Sequence, residues 1–535
     1  MTTQTYEETE WASTHFQREK QSGVFLGLGK SQVWALAIGL VIVLGIWFAA
    51  PATFPVRVLI ALIVAAGVLA VVIPRPAGRP LVEWVLLAGA YTARGAWGFL
   101  QFRRQWHEEP VPGTSDPSDE AGDDEDTSEE PDRAVITDKG AVKPGKPQRL
   151  FLAGEFDELL LYTMPDGQAM VWDPRKREAV VVAKIRTDKA FELESLEHQE
   201  DRTRAFSEML TGLGRLRGVS LVTMSDQTTM ISGANTKAWY LRRQRMDGMR
   251  TGAEVDPFLH EAFMSAMSQE QGMAHHEMWL TVVLSERELR NRVKQSHGGI
   301  GGMMRVSAEM MRTIENLVAP TGAQVDSWHT PRSLSAVIRS AFDPESSVAI
   351  SERSGEFRGV APHAAGPMSL DVHRSHLSSD SGLHRTFMIS EWPQHGARFG
   401  FLDKLIFVGD FRHTVTIIQK PRDQQKALRQ TRGRKSTWES SDRTRRRIGM
   451  APSLEHEREL ADIEQEEGEL VSGHRALTQV GLITVTGRDA EELEANCAEL
   501  FAQAPNSNCE VRPLWWQQDS GFIASALPLG RIVVK

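Results

Sequence analysis

Two uncharged apolar runs, residues 33–50 and 58–73, constrain this chain more than any other feature, because so much apolar surface has to leave water. The first run has 18 residues. At about 1.5 Å per helical residue it nearly crosses a hydrocarbon core of roughly 30 Å. Pro51, Pro55 and Arg57 between the runs suit a tight connection. Arg18, Lys20 and Lys30 precede the pair, and Arg75, Arg79, Arg94, Arg103 and Arg104 follow it. By the positive-inside rule both ends are then cytoplasmic. The expectation is a cytosolic segment 1–32 and a transmembrane helical hairpin 33–73, in a two-span protein of the inner cell membrane whose termini and main domain are cytoplasmic. A cleaved leader does not fit, since Glu7, Glu8 and Glu10 stand in a long polar stretch ahead of the first run.

Beyond the hairpin, Trp84, Leu87, Tyr91, Gly95, Phe99, Phe102 and Trp106 recur at steps of three or four, with Glu83, Arg94, Gln101 and Gln105 on a separate stripe. This predicts an amphipathic helix over 81–106 on the inner membrane surface, with Trp84, Tyr91, Phe99, Phe102 and Trp106 at the interface. Next, ten of the seventeen residues 116–132 are Asp or Glu. Such a stretch repels itself and buries little, so 107–148 reads as a disordered acidic linker.

The net charge of -9 over 535 residues hides this uneven placement, and the length allows two or three domains. Cys497 and Cys509 are too few for a disulfide framework and read as reduced packing residues. From Arg149 onward short β-rich runs alternate with amphipathic helices. Helices are expected near 197–216, 256–268, 302–318, 331–342 and 489–503, and strands near 219–224, 277–284, 324–329, 386–391, 413–419 and 482–487. Residues 421–467 carry almost no strand signal and break near Gly449, which predicts a helical hairpin inserted between strands. Strand, helix, strand at this spacing is a split α+β pattern of ferredoxin-like kind. The expected fold is therefore α+β, with a first subdomain at 149–350 and a second at 351–535 that holds the insertion.

Several strings imitate chemistry without its spacing. GLGKS at 27–31 has Val24 where a phosphate loop needs its first Gly, and no strand precedes it. RGRKS at 432–436 has Arg434 in place of the second Gly, and GGIGG at 298–302 does not space its glycines as a dinucleotide fingerprint does. HHE at 275–277 and HERE at 456–459 lack the second His of a zinc hydrolase. The sequence thus offers no catalytic, cofactor-binding or metal residues, and the chain reads as a non-enzyme. Its basic concentration is 420–447, with eleven Lys or Arg against three carboxylates. Arg432, Arg434, Lys435, Arg443, Arg445, Arg446 and Arg447 are its candidate contacts to nucleic acid, anionic lipid or an acidic protein surface.

The YLRRQRM stretch 240–246, the strand 275–286, the SEWPQ turn 390–394, the helical hairpin after Lys420 and the tail from Trp516, Gln517, Phe522 and Ala524 into LPLGR at 527–531 carry a resemblance. Together they resemble the N-terminal, non-catalytic region of the TraC/TrbE/CagE-type ATPases of type IV secretion systems. The GLG string with its apolar hairpin is similar to the PrgI-like two-helix inner-membrane subunit of the same systems. The combination looks like membrane proteins of Gram-positive conjugative or secretion gene clusters. In the ATPases the LPLGR-like segment comes just before the motor domain, whereas this chain ends at Lys535. The resemblance implies a membrane-anchored, non-enzymatic assembly subunit, oligomeric in the machine, with the cell membrane, other membrane subunits and a motor ATPase as partners. A DNA-transfer factor contacting nucleic acid through 420–447 is the alternative.

Overall fold

The computed structural model describes residues 30–49, 54–72, 74, 79–104, 133–138, 140–187, 194–231, 240–241, 243–245, 256–269, 273–351, 353, 358–393, 400–447, 454–472 and 475–533. The acidic run 116–132, the N-terminal segment before Lys30 and Trp106 lie outside these residues.

Helix α1 (Lys30–Ala49) packs on helix α2 (Phe54–Val72), and both touch helix α3 (Leu81–Ala96). Among the described residues no helix is long and apolar enough to cross a membrane. This overturns the transmembrane hairpin at 33–73, and with it the two-span inner-membrane placement with cytoplasmic termini and main domain. After Arg57 the uncharged part of α2 rises only about 22 Å against the roughly 30 Å of a hydrocarbon core. The polar residues that open α1 are held by protein: Gln32, 0 % exposed, donates to the Val72 carbonyl at 2.6 Å, and Ser31 donates to Glu83 at 2.9 Å.

The helix expected over 81–106 stops at Ala96, and Gln101–Arg103 form strand β1 instead. Around this helix three contacts reach the far end of the chain. Arg94 pairs with Asp519, Arg79 donates to Gln517 at 3.3 Å, and Trp84 meets Trp516 edge-on with centroids 5.6 Å apart.

The described residues take up again at Arg133, inside the stretch expected to be linker. Residues 133–148 hold one carboxylate, Asp138, among apolar residues such as Ala134 and Val142, so this part of the expected linker has apolar surface to pack. They form a ribbon of β2 (Val135–Ile136) and β3 (Val142–Lys143), and Ala134 is 3 % exposed. Strand β4 (Gln148–Arg149) then leads through β5 (Leu160–Thr163) and β6 (Ala169–Asp173) into a first complete unit. It runs β7 (Glu178–Thr187), α4 (Leu196–Arg215), β8 (Val219–Ile231), an insertion bearing α5 (Pro257–Gln269), β9 (Met273–Ser285), α6 (Glu286–Gln295), α7 (Gly299–Val318), β10 (Ala323–Trp328) and α8 (Pro331–Phe342). The pairing β10-β7-β9-β8 puts the strands in the order fourth, first, third, second. That is the split βαβ arrangement of ferredoxin-like folds.

The second unit repeats this plan. A hairpin of β11 (Ser369–Val372) and β12 (Leu377–Ser378) precedes β13 (Leu383–Glu391), and β14 (His413–Pro421) follows. An insertion of α9 (Gln424–Arg447) and α10 (Leu454–Val471) leads to β15 (Leu477–Gly487), α11 (Ala490–Gln503), β16 (Glu510–Pro513) and α12 (Gln518–Ala526). Its order β16-β13-β15-β14 is again fourth, first, third, second. In both units the register shifts where the fourth strand meets the first, at Val325/Ser327 and at Ile389/Glu391. In both, the insertion stands between the second and third strands.

The second strands join the two units. β8 and β14 pair antiparallel from Val222↔Gln419 to Thr228↔His413, giving one 14-stranded sheet. On one face, α4, α6 and α7 cover the first unit and α11 covers the second, each over its own apolar cluster. Across the other face a shared cluster runs from Leu150 and α8 to α12 and the tail residues Leu527, Leu529 and Val533. GGIGG opens α7 for packing reasons. A Cβ on Gly301 would stand 1.9 Å from the Val142 carbonyl oxygen, and one on Gly302 2.6 Å from that of Val293.

Candidate docking site at the seam

Strand alternation places Ser225 and Gln227 of β8, Thr414 and Thr416 of β14, and Thr484 and Thr486 of β15 in the interior shared by the two units. All six are under 9 % exposed. Thr416 donates to the Ser525 carbonyl at 2.7 Å and lies 2.9 Å from Ser225 Oγ, while Gln227 Nε2 donates to Thr414 at 3.2 Å. Gln518, fully buried on α12, accepts from the Thr386 amide at 2.8 Å and donates to the Leu514 carbonyl at 3.0 Å. His384 stands between Ser379 Oγ at 2.7 Å and Thr486 Oγ1 at 2.9 Å. Burial, with the Arg412 charge, pushes its pKa down to about 3. These groups make a hydrogen-bonded joint, which fixes register where an apolar seam would slide.

The basic residues singled out by sequence lie on α9, and the fold gives most of them partners. Helix α9 carries nine Lys or Arg against two carboxylates, and antiparallel α10 carries eight carboxylates against one Arg. Arg432 pairs with Glu467 at 3.0 Å, Arg434 with Glu466, and Lys435 with Glu464 at 3.1 Å. Arg446 meets Asp442 at 2.7 Å and Arg443 reaches Glu439 at 3.7 Å, both pairs within α9. Arg447 is exposed, and Arg445 lies on the same last turn. The hairpin is therefore close to neutral as a whole, with its remaining positive charge near the end of α9.

The aromatic set is divided. Trp84 packs on Trp516, the Tyr91 hydroxyl donates to the Val372 carbonyl at 3.1 Å, and Phe102 sits within β1, whereas Phe99 is exposed. HHE lies in β9 and forms charge pairs instead of a metal centre. His275 and Lys184, the latter at 2.8 Å, hold the Glu277 carboxyl down to about 2 against its burial. Among the described residues no group of three or more His, Cys, Asp or Glu could hold a metal ion. Burial raises the thiols of Cys497 and Cys509 to about 11 and about 12, which fits packing residues.

A groove of about 630 Å³ crosses the seam beside His276. Its lining comes from three places: His276 of β9, Phe407, Asp410 and Phe411 of the connection into β14, and Asn496 and Glu499 of α11. His276 Nδ1 lies 3.0 Å from Asp226 Oδ1, and its ring meets Phe407 edge-on at 4.8 Å between centroids. Asn496 donates from Nδ2 to the Thr486 carbonyl at 3.0 Å. Sequence reasoning passed over these residues because they are dispersed from 276 to 499 and carry no motif; HHE was the only signal near them. No family model matches this chain, and no curated protein matches it.

Proposed function

We propose that the chain is a non-enzymatic assembly subunit of a conjugative or type IV-like secretion machine and that it docks a partner motor ATPase by surface contact. The observation that carries this reading is the pair of insertions. Two units welded into one sheet each project a helical arm from the same point of the fold, and the arms differ in chemistry. Helix α5 turns Phe258, Leu259 and Phe263 outward, at 76 %, 61 % and 40 % exposure. Exposed aromatic and aliphatic residues clustered on one helix are what protein interfaces select. The ion pairs along α9 and α10 favour this contact role over phosphate neutralisation, which needs cations not already matched.

The full chain, purified and mixed with a motor ATPase of a secretion system from the same source, is expected to co-migrate with it in size exclusion and to hydrolyse no ATP by itself. ATP hydrolysis by the chain alone, or no co-migration, overturns the reading. Replacing Arg443, Arg446 and Arg447 with Ala is expected to leave any DNA retention and its salt slope unchanged. A lower slope in that variant would favour the nucleic-acid alternative.

A further inference from the structure

We propose that the seam groove is a receptor for an arginine side chain on a basic segment of the docked partner. This deepens the docking reading and rests on it. The charged side chains that the groove offers are both acceptors. Asp410 and Glu499 are exposed carboxylates, and among the described residues neither has an ion pair. Asn496 is 9 % exposed, and with Nδ2 donating to Thr486 its Oδ1 is the acceptor left to the groove. His276, whose Nδ1 lies 3.0 Å from Asp226 Oδ1 and 3.1 Å from Thr228 Oγ1, lines the groove with its ring. Phe407, 61 % exposed, and Phe411 add aromatic faces.

A lining of two carboxylates, an amide oxygen and aromatic rings rejects anions and accepts a flat cation rich in donors. A guanidinium meets that description: five N–H donors in a fixed plane, able to bridge carboxylates and to stack on a ring. An ammonium can satisfy the carboxylates but not the stacking. Room on the groove floor comes from Gly409, at φ +56°, where a Cβ would stand 2.8 Å from the Glu499 carboxyl carbon and 2.4 Å from the Phe411 ring. The groove takes its walls from both units, so it exists only when the seam is closed. An arginine anchor seated there would therefore read the assembled state of the sheet.

The test uses the full chain and two short peptides, acetyl-Ala-Arg-Ala-amide and the same peptide with citrulline, followed by saturation-transfer NMR. The arginine peptide is expected to give signals and the citrulline peptide none. Affinity should fall about tenfold or more in the double variant Asp410→Asn, Glu499→Gln, a change of at least one decade in Kd. Both positions are exposed, so folding is preserved, and circular dichroism of the variant checks this. The variant Phe407→Ala should weaken binding separately, through the lost ring. Equal signals from both peptides, or unchanged binding in the double variant, overturns the receptor. Arginine binding without capture of any motor ATPase leaves the groove standing and sinks the docking partner. Undiminished ATPase capture by the double variant does the reverse.

Discussion

The two ferredoxin-like units are most alike in their sheets and least alike in what each inserts between its second and third strands. The first inserts α5, whose Phe258 and Leu259 are exposed and whose Phe263 and His260 meet Tyr240, which is stacked on His260 and 4.5 Å from Phe263. The second inserts α9 and α10, bound to each other by ion pairs over a very small apolar contact of Ala427, Leu470 and Ala476. The frame tolerates both because the insertions leave from the strand ends, outside the shared core. Stability is thus concentrated in the sheet, and the freedom to vary contact chemistry is concentrated in the arms.

If the sheet is common property of both units, the largest loss should come from the residue that bridges them. Phe522 of α12 is 1 % exposed and lies 5.3 Å from the Phe342 ring of α8 and 4.6 Å from His384. Phe522→Ala is expected to cost about 3–5 kcal/mol, read from the denaturant midpoint in a single transition. Two separate transitions would show that the units fold independently.

The buried histidines sharpen the comparison next. Burial lowers His384 in the second unit to about 3 and His329 at the end of β10 in the first to about 4. Both folded values lie below the unfolded value of about 6.5, so the unfolded chain binds more protons at acid pH. Their contribution is complete above pH 6.5 and is lost as pH falls toward 4 and then 3. His384→Leu should flatten the stability–pH slope over that whole window, while His329→Leu should flatten it only above about pH 4. A wild-type profile level from pH 7 to 4 would mean that neither ring stays neutral inside the fold.

The arms should give smaller effects. Glu466 is 7 % exposed, accepts from Thr431 at 2.9 Å and pairs with Arg434. Glu466→Gln is expected to cost about 1–3 kcal/mol, seen as local loss of protection by hydrogen exchange in α9 and α10 with the sheet unaffected. Phe258→Ser with Leu259→Ser should shift stability by no more than about 0.5 kcal/mol. The same pair should weaken capture of the motor ATPase. If stability drops by several times that amount, α5 is packed and not presented.

Much of the fold was legible because local pattern and tertiary use agree. The 12-residue helix α8 was expected over 331–342 and occupies Pro331–Phe342, where Thr330 and Pro331 mark its start and Thr330 caps the Ser333 amide. The inserted hairpin was legible from its lack of strand signal. The transmembrane hairpin was misread because an uncharged run records composition, whereas spanning also requires helical length free of charge, and Arg57 shortens what the second helix can offer. The pairing of the basic residues on α9 was not legible in the sequence, since the acidic counterparts of Arg432, Arg434 and Lys435 lie 29 to 35 positions downstream, as in Lys435–Glu464 and Arg432–Glu467.

By itself the sequence determined the elements: period-two and period-3.6 apolar patterns, proline and glycine punctuation, and the absence of a catalytic motif all act over a few residues. Only the tertiary structure decided the pairings. The β8–β14 seam, the neutralised hairpin and the groove beside His276 each join side chains far apart in the chain. Distances of that kind are set by how sheets and helices bury their faces together, and no local pattern encodes them.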